Sequence, residues 1–252
     1  MPFIPNTDAD RQAMLERIGV KNFKELISNI PPELRFKDEF QLPEPLSEME
    51  IAREIQQKTR CNQGVYDAIN FLGGGAYDHF IPAAVGHITS RSEFYTAYTP
   101  YQPEVSQGTL QAIYEYQSMI AELMNMEVAN ASMYDGGSAL AEAALMAAAE
   151  TSRNKILVSR AVHPHYRHII RTYCHGQKIE IQLIELENGI TNLSDLAAKI
   201  DDKTAAVIFQ HPNFLGNLEE VFDISKLTHD NGVLLITSND PISLGILEPP
   251  GN

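Results

Sequence analysis

The pattern of apolar and polar positions changes character along the chain. Between residues 150 and 240, short apolar runs (KILVS, KIEIQLIE, AAVIFQ, VLLITS) alternate with longer amphipathic stretches (HYRHIIRTYCH, LSDLAAKI, VFDISKLTHDNG). Just upstream, ANASMY reads as a further strand before the helix SALAEAALMAAAETS. Buried-looking strands spaced by helices of 10 to 15 residues predict an α/β fold, with a mostly parallel sheet covered by helices on both faces. TLQAIYEYQSMIAELMNM predicts an amphipathic helix from Thr109 to Met126. FLGGGAYDHF and YTPYQPEVSQG read as loops.

Residues 1–60 have another texture. TDADRQAMLERIG offers Thr7 or Asp8 as N-cap and Gly19 as terminator, NFKELISNI stops at Pro31-Pro32, and Ser47 precedes EMEIAREIQQKTR. Pro-broken and poor in apolar positions, this stretch predicts a helical arm, with residues 61–252 forming the main domain. After VLLITS the sequence runs through SNDPISLGILEPPGN without a closing helix, so the domain is expected to be incomplete, the N-terminal portion of a longer protein.

Composition narrows the class. The formal charge of −14 argues against a non-specific nucleic-acid binder and against a polybasic membrane binder. A hydrophobic content of 44% supports a sizeable core. The N-terminus lacks a signal-peptide pattern, no apolar run approaches the ~20 residues of a spanning helix, and a soluble cytoplasmic chain is expected. Cys61 and Cys174 lie far apart and suggest neither a disulfide framework nor a zinc knuckle.

Ligands of open parallel sheets sit at the carboxyl ends of the strands. Four unusually polar loops fall at such places: Asp135-Gly136-Gly137-Ser138, His163-Pro164-His165-Tyr166, Gln210-His211-Pro212-Asn213 and Ser238-Asn239-Asp240. Gly136, Gly137 and Ser138 open a helix of strong propensity; they suit either a phosphate or an ordinary cap with a tight turn. No GxxxxGK[ST] and no post-strand GxGxxG is present. Residues 151–178 hold six Lys and Arg and no acidic residue, which reads either as an anion-attracting island or as a solvated helix face. His163, His165 and His168 do not share one helical face, so no metal site is expected. His163 is instead placed to stack on an aromatic cofactor. Asp240 can pair with a protonated ring nitrogen or simply open a turn before Pro241. No Lys follows Lys226, so no imine-forming lysine lies beyond Asp240.

Taken together, FLGGGAYDHFIPAAV, YTAYTPYQPEVSQGTLQAIYEYQS, NASMYDGGSALAEA and SNDPISLGILEPPG resemble the pyridoxal-phosphate glycine decarboxylase of the glycine cleavage system, the P-protein family. The likeness is greatest to subunit 1 (alpha) of the two-subunit bacterial form, and it runs over essentially the whole chain. It implies a fold-type-I, aspartate-aminotransferase-like large domain preceded by a helical arm. The implied reaction decarboxylates glycine and passes the aminomethyl group to the lipoyl arm of H-protein. It also implies a paralogous subunit 2, in a heterodimer or heterotetramer, that carries pyridoxal 5'-phosphate covalently on its lysine. This chain then has no catalytic residue of its own and is inactive without that partner. Gly136, Gly137, Ser138, His163 and Asp240 match the phosphate, ring-stacking and pyridinium positions as a degenerate copy of the cofactor site. The resemblance makes Tyr98, Thr99, Tyr101, Gln102, Glu104, Ser106 and Gln107 candidates for lining a substrate or lipoyl channel, or else for packing against the partner. Asn239 and His211 depart from the expected pattern. Two other readings stay open at this point: a cysteine-desulfurase-like fold-type-I enzyme, and a non-catalytic scaffold.

Overall fold

The computed structural model describes residues 5–36, 41–64, 67–69, 71, 73–96 and 102–252, with the side chains of 103–106 left out. The chain divides into two units, 1–69 and 70–252. In the first unit, helix α1 (Asp8–Ile18) begins at Thr7, whose hydroxyl accepts from the Asp10 amide while the Asp10 carboxylate accepts from the Thr7 amide. That reciprocal pair satisfies donors the helix leaves unpaired. Ser47 and Glu50 repeat the device at the start of α3 (Glu48–Thr59). Between them α2 (Phe23–Leu26) makes a single turn, shorter than the run to Ile30 suggested, and a 3₁₀ turn follows at Pro32–Leu34. No residue of these helices is buried, as expected of a stretch with few apolar positions.

The second unit starts with α4 (Ala83–Thr89) and α5 (Ser92–Tyr95) and continues into the long α6 (Pro103–Met124). Helix α6 begins six residues before the expected Thr109, inside the segment read as a loop. Pro103 occupies the first helical position, where its missing N–H and fixed φ favour a start. The expected strand at ANASMY is absent: the Asn130 side chain accepts from the Ser132 amide at 3.0 Å and Ser132 takes φ 89°. Such a local side-chain turn competes with extended pairing.

From there the alternation is regular. Helix α7 (Gly136–Thr151) leads to β1 (Lys155–Ser159), α8 (Pro164–Gly176) and β2 (Glu180–Ile184). A small antiparallel hairpin, β3 (Leu186–Glu187) and β4 (Ile190–Thr191), precedes α9 (Leu193–Lys199). Strand β5 (Thr204–His211), helix α10 (Val221–Asp230) and β6 (Leu234–Asn239) complete the unit, with a 3₁₀ turn at Pro241–Gly245. The four long strands form one parallel sheet in the order β2–β1–β5–β6, as the alternation predicts. Asn188 and Gly189, at φ 52° and 80°, make the two-residue turn of the hairpin.

Period-two alternation sorts the core into two layers. Ile156, Val158, Ala206 and Ile208 face α7 and α8, where Ala141 and Ala144 allow close approach to the sheet. Leu157, Val207 and Phe209 face α9 and α10. All of these side chains are fully buried, each large one contributing about 1.5–3 kcal/mol. Helices therefore cover both faces, and the ends of β1, β5 and β6 open on one edge. Among the described residues no helix is long and apolar enough to cross a membrane.

Candidate functional site

The N-terminus of α7 carries Gly136, Gly137 and Ser138, which in sequence suited either a phosphate or an ordinary cap with a tight turn. Asp135, not Ser138, is the N-cap. Its carboxylate accepts from the Ser138 amide and from the Ser138 hydroxyl, each at 2.8 Å. These bonds, the backbone one first, hold the Asp135 carboxyl below the ordinary carboxylate range. A fixed negative charge thus sits on the positive end of the helix and takes both donors of Ser138. Both glycines answer to packing: a Cβ on Gly136 would lie 2.9 Å from Tyr166 Oη, and one on Gly137 2.5 Å from Ile169 Cδ1.

His163 stands at the end of β1, as N-cap of α8. Its amide donates to Gln210 Oε1 at 2.9 Å, which ties it to the end of β5. The His165 amide donates to Nδ1 at 3.1 Å, leaving Nε2 as the protonated nitrogen, 3.2 Å from the Gly74 carbonyl. The ring stacks on Tyr166 at 4.7 Å and meets the edge of Phe214 at 4.8 Å. Gly75, at φ +86°, comes so close that a Cβ would lie 2.3 Å from Nε2. The stacking partner of His163 is therefore a side chain of this chain. Tyr166 links the candidates, since it touches both the His163 ring and the space above Gly136. The sequence named it only as the last residue of the polar loop 163–166 and gave it no role, although its place three residues after His163, across the first turn of a helix, is the signal that marks it.

Asp240 opens the turn before Pro241 and accepts from the Ile242 amide at 3.0 Å. Asn239 beside it donates to Thr237 Oγ1 at 2.7 Å. A cleft of about 810 Å³ is lined by Asp135, Gly136 and Pro241, so the α7 N-terminus and the turn after β6 border one space. On the neighbouring loop His211 Nδ1 accepts from the Glu219 amide at 3.1 Å. Burial pushes the His211 imidazole below its ordinary value, against the pull of the Glu219 charge. Glu219, nearly buried, accepts from the Thr191 amide at 2.8 Å and from Asn213 Nδ2 at 2.7 Å.

Of the segment proposed as a channel lining, Tyr98, Thr99 and Tyr101 lie outside the described residues, as do the side chains of Glu104 and Ser106. Gln102 precedes α6 and Gln107 is exposed on its early turns. Among the described residues, no three His, Cys, Asp or Glu are arranged to hold a metal ion.

A parallel sheet with helices on both faces, and polar loops at the strand ends, has the architecture of the large domain of a fold-type-I pyridoxal-phosphate transferase. A family profile described as "Glycine cleavage system P-protein" matches residues 1–252, and the chain belongs to that family. It is 56% identical over 252 residues to a "Probable glycine dehydrogenase (decarboxylating) subunit 1" of Chloroherpeton thalassium, covering all of this chain and 57% of that protein. A crystal structure of glycine decarboxylase (P-protein) of the glycine cleavage system, in inhibitor-bound form, superposes with a TM-score of 0.83 at 43% identity, covering 100% of this chain and 56% of that one. A sphingosine-1-phosphate lyase of Burkholderia pseudomallei shares the fold, with a TM-score of 0.58 at 13% identity over 82% of this chain and 50% of that one. The chain thus spans a little over half the length of the curated relatives it matches. The expected fold class and family resemblance are borne out.

Proposed function

We propose that the chain belongs to subunit 1 of a two-subunit glycine decarboxylase that acts in the cytoplasm. The reading rests on full-chain identity of 56% to a relative named as that subunit. In it, residues 1–60 are the helical arm and residues 61–252 the transferase-like domain of a heterodimer or heterotetramer. The assembly decarboxylates glycine and passes the aminomethyl group to the lipoyl arm of H-protein. Pyridoxal phosphate, carried by the second subunit, supplies an electron sink for the carbanion left by loss of CO₂.

Geometry supports placing the cofactor on the partner. The Asp135 carboxylate occupies the α7 N-terminus, the His163 face is taken by Tyr166, and Asp240 caps a turn. Lys155 is held by Asp201 at the opposite, amino-terminal end of β1 and is turned away from the site edge. In this reading the positions matching a cofactor site serve the fold, and the residues that work are Tyr98, Thr99, Tyr101, Gln102, Glu104, Ser106 and Gln107, as lining of a substrate or lipoyl channel. The test is exchange of labelled CO₂ into glycine. Purified chain with pyridoxal phosphate and H-protein but no second subunit shows no exchange and no borohydride-trapped lysine; adding the second subunit restores exchange. Tyr101→Phe and Glu104→Gln each lower the restored rate by about tenfold, the effect of losing a positioning contact of about 1.4 kcal/mol. Turnover by the chain alone overturns the reading, and unchanged rates in both variants overturn the role of the segment.

A further inference from the structure

Two Asn-Gly pairs occur in the chain, in nearly the same setting: Glu187-Asn188-Gly189-Ile190 and Asp230-Asn231-Gly232-Val233. An acidic residue precedes each pair and a β-branched one follows it, so the sequence gives no ground for telling them apart. Both asparagines are exposed, and both glycines take positive φ, 80° and 61°. Exposure and backbone region therefore do not separate them either. What separates them is the state of two groups, the asparagine side-chain amide and the N–H of the glycine.

At Asn231 both groups are engaged. Its Nδ2 donates to the Leu227 carbonyl at 2.8 Å, and the Gly232 amide donates to the His229 carbonyl at 3.0 Å, closing the end of α10. The Gly232 carbonyl is held as well, by Arg153 Nη1 at 2.9 Å. At the tip of the β3–β4 hairpin neither group is engaged: among the described residues the Asn188 side chain and the Gly189 amide make no hydrogen bond. The tie at this pair is on the Gly189 carbonyl, which accepts from Asn213 Nδ2 at 2.9 Å and from Asn217 Nδ2 at 3.1 Å. The flanking strands contribute two residues each, too few to hold the turn shut alone.

These two groups are the reactants of asparagine deamidation. The glycine nitrogen attacks the side-chain carbonyl carbon Cγ. The N–Cγ bond forms, the Cγ–Nδ2 bond breaks, and ammonia leaves with the proton shed by the glycine nitrogen. Water then opens the cyclic imide at either carbonyl to give aspartate or isoaspartate, with nothing oxidised or reduced. A following glycine favours the attack because no Cβ shields its nitrogen. Any hydrogen bond that fixes the side-chain amide or the glycine N–H has to open before the ring closes, so local opening sets the rate.

We propose that Asn188 is a deamidation site of this chain, and that Asn231, equivalent in sequence, is protected by the fold. Isoaspartate at 188 lengthens the backbone of a two-residue turn, adds a negative charge beside Glu187 and draws the Gly189 carbonyl away from Asn213 and Asn217. The test incubates the purified chain in warm, mildly alkaline buffer while circular dichroism shows it still folded. Peptide mapping with mass spectrometry resolves asparagine, aspartate and isoaspartate at each pair. Conversion at Asn188 runs at least about tenfold ahead of conversion at Asn231, the margin that the two hydrogen bonds held there provide. In urea the two positions convert at like rates, because unfolding removes what distinguishes them. The converted fraction, separated by its added charge, unfolds at a lower denaturant midpoint than the fresh chain. Equal rates at both positions in the folded chain overturn the proposal, as does an Asn188 that stays intact in the folded chain while the urea sample converts. An unchanged midpoint overturns the loosening of the turn.

Discussion

Asp201 illustrates how one exposed carboxylate can anchor a buried cation. It accepts from Lys155 Nζ at 2.8 Å, from the Thr204 hydroxyl at 2.8 Å and from the Lys203 amide at 3.1 Å. Lys155, 7% exposed, begins β1. The bond from Lys155 first, and that from Thr204 second, push the Asp201 carboxyl down from 3.8 to about 2. A depressed carboxyl stabilises the fold in its ionised form, fully above its unfolded value and progressively less as pH falls through the folded one. Urea unfolding of wild type and Asp201→Asn should therefore differ most at pH above 3.8 and converge as pH approaches about 2. A constant difference across that window would show that the charge is not what Asp201 contributes. Asp135 follows the same sign at the start of α7, where its ionised form carries the cap.

At the scale of elements, the hairpin β3–β4 shows what a short motif needs to persist. Two residues per strand cannot hold it. A buried polar network does: Thr191 shares a 2.8 Å hydrogen bond with Ser159, Glu219 takes the Thr191 amide, and Asn213 donates to the Gly189 carbonyl at 2.9 Å. Glu219 joins both sides of this network. Glu219→Ala leaves the Thr191 amide and Asn213 Nδ2 without their acceptor, and should lower stability by about 3 kcal/mol. Glu219→Gln, which keeps one acceptor oxygen, should recover part of it. Denaturant midpoints give the loss, and faster hydrogen exchange at Thr191 locates it; a loss without local exchange would place the effect elsewhere. The hairpin was not read from the sequence, which gave one strand leading to the helix at LSDLAAKI, although Asn188-Gly189 is a short-range turn signal. The start of α6 was hidden because two prolines in one segment read as a loop until the helix places Pro103 at its first position.

Among the described residues, the buried core lies in the sheet, the helices that cover it and the short turns that join them, while many large apolar side chains stand in solvent. Phe71 is 93% exposed, Phe80 91%, Tyr134 103% and Ile246 91%. Apolar surface of this extent marks association sites or aggregation liabilities. The chain alone should enhance the fluorescence of the hydrophobic dye ANS while keeping its near-ultraviolet circular dichroism, and the enhancement should fall when the second subunit is added. Dye binding with loss of the near-ultraviolet signal would instead indicate loosened packing.

What the sequence determined by itself was the grammar of the fold. Apolar runs of strand length between amphipathic stretches fixed a parallel α/β sheet, and caps such as Thr7 and Ser47 fixed helix starts, because both signals are local and written in neighbouring residues. Family membership was equally legible, because long loop strings are too specific to arise by propensity. Tertiary structure decided what the site residues touch. Gly136, Gly137 and His163 read the same in sequence whether they face a ligand or the rest of the chain; only packing brought Tyr166 against all of them and gave the α7 N-terminus to Asp135. Likewise Arg153 and Lys155 of the basic run 151–178 found their partners only once residues more than 40 positions away, Thr204, Asp201 and Gly232, came beside them. Charge and composition are properties of the chain, but a hydrogen bond between distant residues exists only where folding has brought them together and excluded water.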